Sequence, residues 1–456
     1  MGNKLFGTDG VRGVANVYPM TAEFAFSLAR ACADLVCTKR KKAAIAKDTR
    51  VSGDMLEAAM IAGFTSQGVD VVKLGVLPTP ALTMVTDSLG VDMAVMITAS
   101  HNPFHDNGIK LIDSVGNKFS DTVTAEVEAA VQKGEFSLNP DKIGKVYKND
   151  EALECYVASA KSVAGEGHPL HGLRVVLDCA NGAFSKIMPQ VFKDLGAGVI
   201  ALSTEPDGYN INKDCGSQHV ENLIDTVKNT KAQLGIACDG DGDRIIVCDE
   251  QGNRLDGDQI IAFLGKYFKE ARELGANTVV ATILSNPALD RFLKSIGVDC
   301  VRAAVGERHV IDKMKELGSN IGGEESGHMV IADYSKTGDA MIVALVISLG
   351  LLKSGKKMSE IFPLFQPMLK KRVDTKFKSK EEMLAAFELP EFKSAIADAE
   401  KKIEGKGKVL VRKSGTEPKI QVWVWGDEAS FVDEVNKSMA SVLLSAQGYD
   451  SQKDVL

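Results

Sequence analysis

Short apolar, β-branched runs recur along the chain, each followed by a polar loop and then by a stretch with helical spacing of its apolar residues. The unit occurs at 43–46 before Asp48-Thr49-Arg50, at 173–177 before Asp178-Cys179-Ala180-Asn181-Gly182, and at 278–284 before Ser285-Asn286-Pro287. Met93–Ile97 is another such run, and Ile245–Asp249 with Gln251-Gly252-Asn253 reads as a hairpin. Strand alternating with helix predicts α/β domains with parallel or mixed sheets covered on both faces. In such sheets ligands sit beyond the carboxyl ends of the strands, where these polar loops cluster. The C-terminal part reads differently. Strands are expected over 409–411 and 420–425 around a Gly-containing loop, with helices over 380–387 and 430–444, a smaller α+β domain. Breaks in the pattern near 150, 254 and 368 divide the chain into 1–150, 151–254, 255–368 and 369–456.

A chain of 456 residues is too long for one ordinary core, which agrees with several domains. The net charge of −7 argues against a nucleic-acid partner, because no basic excess is present to neutralise phosphates. A small anionic substrate needs only a few local cations. The eight cysteines are scattered without a C-x-x-C pair, so neither a zinc site nor a disulfide framework is expected. Cys179, Cys238 and Cys248 adjoin strand-like runs and read as small core residues. The apolar stretch 340–352 is too short to span a bilayer. The chain opens directly on Leu5-Phe6-Gly7 without a charged-then-apolar leader, so the expectation is a cytoplasmic protein with no membrane partner.

The candidate chemistry begins with Thr98-Ala99-Ser100-His101-Asn102-Pro103, which puts a hydroxyl directly after a buried-type strand. A serine needs a base, a metal or a pre-attached group to act as a nucleophile. No G-x-S-x-G elbow surrounds Ser100, and the same residues could simply cap a turn. Asp239-Gly240-Asp241-Gly242-Asp243-Arg244 crowds three carboxylates into five residues. Spaced by two at a strand end, they can converge on one cation, and all-oxygen ligation suits Mg²⁺. An EF-hand fails at its sixth position, where Arg244 replaces glycine, and Ile245–Asp249 follows as a strand. A solvated acidic turn is the alternative; mutual repulsion favours the metal. Arg244 could anchor a phosphoryl group or pair with an aspartate.

Arg412-Lys413-Ser414-Gly415-Thr416-Glu417-Pro418 combines cation, hydroxyls and glycine as a phosphate cradle without the Walker pattern, or forms a plain hairpin turn. Gly323-Glu324-Glu325-Ser326-Gly327-His328 offers donors and acceptors suited to vicinal sugar hydroxyls, or a polar loop. Lys110 and Arg12 are further cations, each also readable as surface charge. His168 and His171 read as loop residues.

These segments, taken in order with Phe6-Gly7-Thr8-Asp9-Gly10-Val11-Arg12-Gly13 and Asp106 to Lys110, resemble the α-D-phosphohexomutases along essentially the whole chain. Val305-Gly306-Glu307-Arg308 is most similar to the branch acting on glucosamine phosphates. The resemblance implies four domains around a central cleft, three related α/β domains with mixed sheets and a smaller C-terminal α+β domain. It implies phosphorylated Ser100, with Mg²⁺ held by Asp239, Asp241, Asp243 and the Ser100 phosphate. Glu324 and Ser326 would bind sugar hydroxyls, Arg308 would contact substrate, and Arg412, Ser414, Gly415 and Thr416 would clamp the phosphate not being transferred. Arg12, His101, Lys110 and Arg244 would line the phosphoserine site, with Lys110 or His328 as acid/base.

The implied activity interconverts glucosamine 6-phosphate and glucosamine 1-phosphate through a 1,6-bisphosphate, feeding UDP-N-acetylglucosamine and cell-wall precursors. Glucosamine or glucose 1,6-bisphosphate would serve as activator. Phosphoglucomutase or phosphomannomutase activity is the alternative, and a non-catalytic sugar-phosphate sensor a more remote one. The partner is a small hexose phosphate, and a homodimer is compatible. Glu325 departs from the branch, which commonly has a neutral amide there. The added carboxylate could face a substrate ammonium or solvent.

Overall fold

The computed structural model describes residues 5–7, 9–136, 140–414 and 418–446. The chain divides into two units, Met1–Ser285 with Leu293–Leu364, and Asn286–Phe292 with Phe365–Leu456.

The first unit holds three sheets built to one plan. In each, a central strand is flanked by two parallel neighbours, and the second of these is followed by an antiparallel strand. In the first sheet Lys42–Lys47 lies between Asp70–Val76 and Met93–Ile97, and Asp106–Asp113 runs antiparallel beside the latter. Val11–Val14 and Val146–Lys148 extend its two edges. In the second, Arg174–Asp178 lies between Gly198–Leu202 and Leu234–Cys238, with Ile245–Asp249 antiparallel and Arg254–Leu255 at the edge. In the third, Thr278–Thr282 lies between Asp299–Ala303 and Ile321–Gly323, with Met329–Ile331 antiparallel. Strands Lys42–Lys47, Met93–Ile97, Leu234–Cys238 and Thr278–Thr282 are buried along nearly their whole length, which is why they read as largely apolar runs. Each buried Val, Leu or Ile contributes roughly 1.5–3 kcal/mol.

One plan used three times places three loops at equivalent positions, between the third parallel strand and its antiparallel neighbour. These are 98–105, 239–244 and 324–328. They contain the serine, the aspartates and the Glu-Glu-Ser segment picked out from the sequence.

Several expected elements differ in extent. The strand expected over 278–284 stops at Thr282, because Ser285 N–H turns back to the Thr282 carbonyl (3.1 Å). The strand pair Ile245–Asp249 and Arg254–Leu255 straddles position 254. Helix Ala340–Ser354 is apolar on almost every side and buried, while its N-terminus is capped by Asp339. Among the described residues no helix is long and apolar enough to cross a membrane. All eight cysteines are free, and Cys179, Cys238 and Cys248 are buried. His168 and His171 lie in an exposed turn.

The second unit is an antiparallel sheet in the order Leu369–Lys376, Lys419–Gly426, Gly407–Lys413, with helices Lys380–Glu388, Pro390–Ile403 and Ala429–Ala446. Its core joins Phe392, Ile403, Ile420, Val422, Val424 and Leu443.

Candidate active site

The serine loop leaves Met93–Ile97 with its backbone held rigidly. Ser100 is buried and sits at φ +53, a left-handed conformation uncommon for a residue with a side chain. Its N–H donates to Thr98 Oγ1 (2.9 Å), and Thr98 in turn donates to Asp48 Oδ2 (2.6 Å). The buried Arg50, paired with Asp48, donates through Nη2 to the carbonyls of Ser100 (2.9 Å) and Asn102 (2.8 Å). Asn212 Nδ2 reaches the same two carbonyls from the second sheet's domain (2.8 and 3.0 Å).

Ser100 Oγ donates to Asp239 Oδ2 at 2.6 Å, so the hydroxyl and the acidic loop meet directly. Asp239, Asp241 and Asp243 are buried, and one carboxylate oxygen from each lies within 4.8 Å of the others. Gly242 and Arg244 N–H groups donate to Asp239 Oδ1 (3.1 and 3.2 Å). Thr79 Oγ1 and Lys110 Nζ both donate to Asp241 Oδ2 (2.6 and 2.8 Å), and Lys110 also reaches Asp243 Oδ2 (3.0 Å). Asp241 Oδ1 and Asp243 Oδ1 are buried with no hydrogen-bond partner. Burial, then the carboxylates of Asp243 and Asp241, push Asp239 well above the ordinary carboxylate range. Burial also opposes ionisation of Asp243, yet Lys110, His328 and Arg244 hold it down at about 2. Two orphaned oxygens and a repelled neighbour are what a hard divalent cation relieves, so this donor set fits Mg²⁺.

Lys110 is a buried charge, not a surface one. Burial disfavours its ammonium, but Asp241, Asp243 and Asp9 outweigh that and raise its pKa well above the ordinary value. Arg12 donates to the Ala99 carbonyl (3.3 Å) and to Asp9 (2.5 Å). Of the two roles left open for Arg244, the structure shows the pairing with an aspartate. Its Nε lies 3.9 Å from Asp243, and its Nη1 lies 2.8 Å from His101 Nδ1. That contact leaves His101 Nδ1 an acceptor from Arg244, 3.4 Å from Ser100 Oγ. Burial, then Arg244 and Arg12, lower His101 to about 4, so it is neutral at pH 7.

On the third loop Glu324 Oε1 accepts from Gly306 N–H (2.9 Å), while Glu325 and Ser326 are half-buried. Arg308 does not join the serine–aspartate cluster. It pairs with Asp121 (3.1 Å) and, more loosely, Asp312 (3.9 Å), beside a cavity of about 200 Å³ that Lys110, Lys118 and Glu307 also line. Arg412 is the penultimate residue of strand Gly407–Lys413 in the second unit, and Ser414 follows that strand. Gly415 and Thr416 lie outside the described residues. Sequence reasoning passed over Asp48, Arg50, Thr79, Lys118, Asn212 and Glu307. Asp48 and Arg50 had a signal, a polar loop directly after a strand. The others are single polar residues whose partners are far away in sequence.

Four family models match in register: phosphoglucomutase/phosphomannomutase α/β/α domain I over residues 3–138, domain II over 154–252, domain III over 256–368 and the C-terminal domain over 368–442. The phosphoglucosamine mutase of Paramagnetospirillum magneticum is 44% identical, covering 98% of this chain and 100% of that protein. Among solved structures, a phosphoglucomutase/phosphomannomutase family protein of Burkholderia thailandensis superposes with a TM-score of 0.80 at 22% identity, covering 98% of both chains. N-acetylphosphoglucosamine mutase of Aspergillus fumigatus, solved in complex with GlcNAc-6P and magnesium, superposes at 0.61 with 17% identity, covering 97% of this chain and 96% of that one. The three related sheets, the serine–aspartate contact and these full-length matches agree: the chain belongs to the phosphoglucomutase/phosphomannomutase family, enzymes that are intramolecular phosphotransferases.

Proposed function

We propose that this enzyme interconverts glucosamine 6-phosphate and glucosamine 1-phosphate, with Ser100 as the phosphoryl carrier. The observation that carries the reading is the 2.6 Å contact between Ser100 Oγ and the buried aspartate triad. A serine placed there would carry a dianionic group beside three carboxylates only if cations gather around it, and Arg244, Arg12 and Lys110 supply part of that charge. Mg²⁺ bound by Asp239, Asp241, Asp243 and the Ser100 phosphoryl oxygen would offset the rest and polarise the transferring group.

In the forward half-reaction the sugar hydroxyl attacks phosphorus, the new O–P bond forms and the bond to Ser100 Oγ breaks, giving a 1,6-bisphosphate. The intermediate then reverses its pose and returns its other phosphate to Ser100. Either glucosamine or glucose 1,6-bisphosphate would prime the serine. Glu324 and Ser326, half-buried on the third loop, are the residues we assign to the sugar hydroxyls. Arg412, Ser414, Gly415 and Thr416 are the residues we assign to the phosphate that is not being transferred.

The choice of glucosamine rests on the full-length similarity to phosphoglucosamine mutases. The test compares kcat/KM on glucosamine, glucose and mannose 6-phosphates, each primed with the matching bisphosphate. The amino sugar should lead by at least tenfold; a neutral sugar in the lead assigns the chain to phosphoglucomutase or phosphomannomutase activity instead.

A further inference from the structure

The phosphoryl chemistry leaves a buried carboxylate unexplained. Glu307, at the start of helix Glu307–Leu317, accepts from Thr337 Oγ1, from Gly338 N–H (3.4 Å) and from Lys118 Nζ. Its Oε1 also lies 3.3 Å from His328 Nε2, an ion-pair contact in which Nε2 makes no hydrogen bond. Gly338 closes the same edge of the ring, since a Cβ there would fall 2.5 Å from His328 Cε1 and Nε2. Among the described residues Nδ1 has no hydrogen-bond partner and is not one of the enclosed orphan atoms. His328 closes the loop that carries Glu324 and Ser326. The other acid/base candidate, Lys110, is tied to three carboxylates within 3.3 Å.

We infer that Glu307 is a positioning residue: it holds the Nε2 edge of His328 so that Nδ1 is the nitrogen exchanging a proton with the sugar oxygen. The inference rests on the mutase reading. As the sugar hydroxyl attacks, its O–P bond forms and its proton passes to Nδ1 of the ring in its neutral form, whose one ring hydrogen stays on Nε2 facing Glu307. Ser100 Oγ departs with the electron pair of the broken P–O bond and takes a proton from water. On the return transfer Ser100 Oγ attacks the other phosphate and releases its proton to water, the sugar O–P bond breaks, and Nδ1 gives its proton to the sugar oxygen. The carboxylates that act most on His328 are those of Glu307, Asp243 and Glu324, and the cations paired with the first two are Lys118, Lys110 and Arg244. Burial works against its imidazolium, but these carboxylates, Glu307 first, raise it to about 9.

The experiment compares Glu307→Gln, His328→Asn, the double variant and Lys118→Met in the full-length enzyme, with glucosamine 6-phosphate turnover and NMR titration of the His328 ring. Glu307→Gln should lower kcat by roughly 10–100-fold, as loss of an orienting partner does, with KM changed less than about twofold. The double variant should be no slower than His328→Asn, because Glu307 acts through that ring. In Glu307→Gln the His328 midpoint should fall toward the ordinary imidazole range. In Lys118→Met, which removes the other charge on Glu307, it should not fall. Multiplying losses in the double variant, an unmoved midpoint in Glu307→Gln, or a matching fall in Lys118→Met would each overturn the inference. A wild-type enzyme without mutase turnover would sink the functional reading instead, and the ring titrations would still decide whether Glu307 governs His328.

Discussion

Replacing Lys110 by Met tests whether the acidic loop is built for a cation. The lysine nitrogen lies 2.8, 3.0 and 3.3 Å from Asp241, Asp243 and Asp9, with its side chain 2% exposed. Removing one partner of a buried ion pair leaves the other charge uncompensated, typically at about 3–5 kcal/mol. The net pull on one carboxylate, to which Lys110, His328 and Arg244 all contribute against burial, gives a second scale. Holding Asp243 at about 2, against an ordinary 3.8, is worth about 2 kcal/mol at neutral pH, stability present above the ordinary value and lost as pH falls through about 2. Met keeps the aliphatic stem, so packing changes little. Lys110→Met should therefore lose about 3–5 kcal/mol in urea unfolding at pH 7 without metal. Millimolar Mg²⁺ should restore more stability to the variant than it adds to the wild type, because the loop then holds one more uncompensated negative charge. A loss under about 1 kcal/mol, or equal Mg²⁺ responses, would refute the account of this loop as a charge-starved cation site.

Ser100→Ala should lower mutase turnover by more than about a thousandfold and abolish phosphate on the Ser100 peptide in mass spectra, with its unfolding midpoint close to wild type; normal turnover would remove Ser100 as carrier. Asp339, buried and hydrogen-bonded by Tyr156 (2.9 Å), is raised by burial to about 7. Its folded form thus holds a proton the unfolded chain releases, and wild-type stability should fall as pH rises from about 4 to about 7. Asp339→Asn should flatten that slope; parallel pH profiles would show that Asp339 does not set it. Gly242 sits at φ +78, and a Cβ there would lie 2.2 Å from the ring of buried Phe184. Gly242→Ala should cost at least about 2 kcal/mol in thermal or urea unfolding and weaken Mg²⁺ binding, combining a left-handed backbone with overpacking; a neutral substitution would mean the loop tolerates a shifted path.

Much of the site was legible because its chemistry is local. The aspartate spacing puts three carboxylates on one short turn whatever surrounds it, and Met93–Ile97, buried on both faces, could only be an apolar run. What escaped depends on contacts distant in sequence. Lys110 reads equally as a site cation or a surface charge until Asp241 and Asp243 arrive from the second sheet. Glu307 sits in a charged helix start, and only the fold brings Thr337, Gly338 and His328 around it. Leu369–Lys376 hid for another reason: as an edge strand with most side chains in solvent, it carries lysines and an arginine where a buried strand would carry valines. The extension of the third-domain strand to 284 made the opposite error, since Ile283 and Leu284 are apolar but belong to the turn after it.

The repeated sheet plan explains how one short loop from each of three domains can build a single reaction centre. Each loop leaves a strand end fixed by a ladder on both sides, so its first residues are placed as firmly as the sheet itself. Cross-links between the copies then set the loops against one another. Asn212 holds the serine loop's carbonyls, Thr79 N–H donates to the Asp241 carbonyl (2.9 Å), and Ala340 N–H donates to the Gly242 carbonyl (3.0 Å). Every one of these bonds is made to a backbone oxygen, so none of them uses the Ser100 hydroxyl, which donates to Asp239. On the proposed mechanism a phosphoryl group would come and go at Ser100 Oγ without altering these backbone bonds, as repeated transfer to and from one oxygen requires.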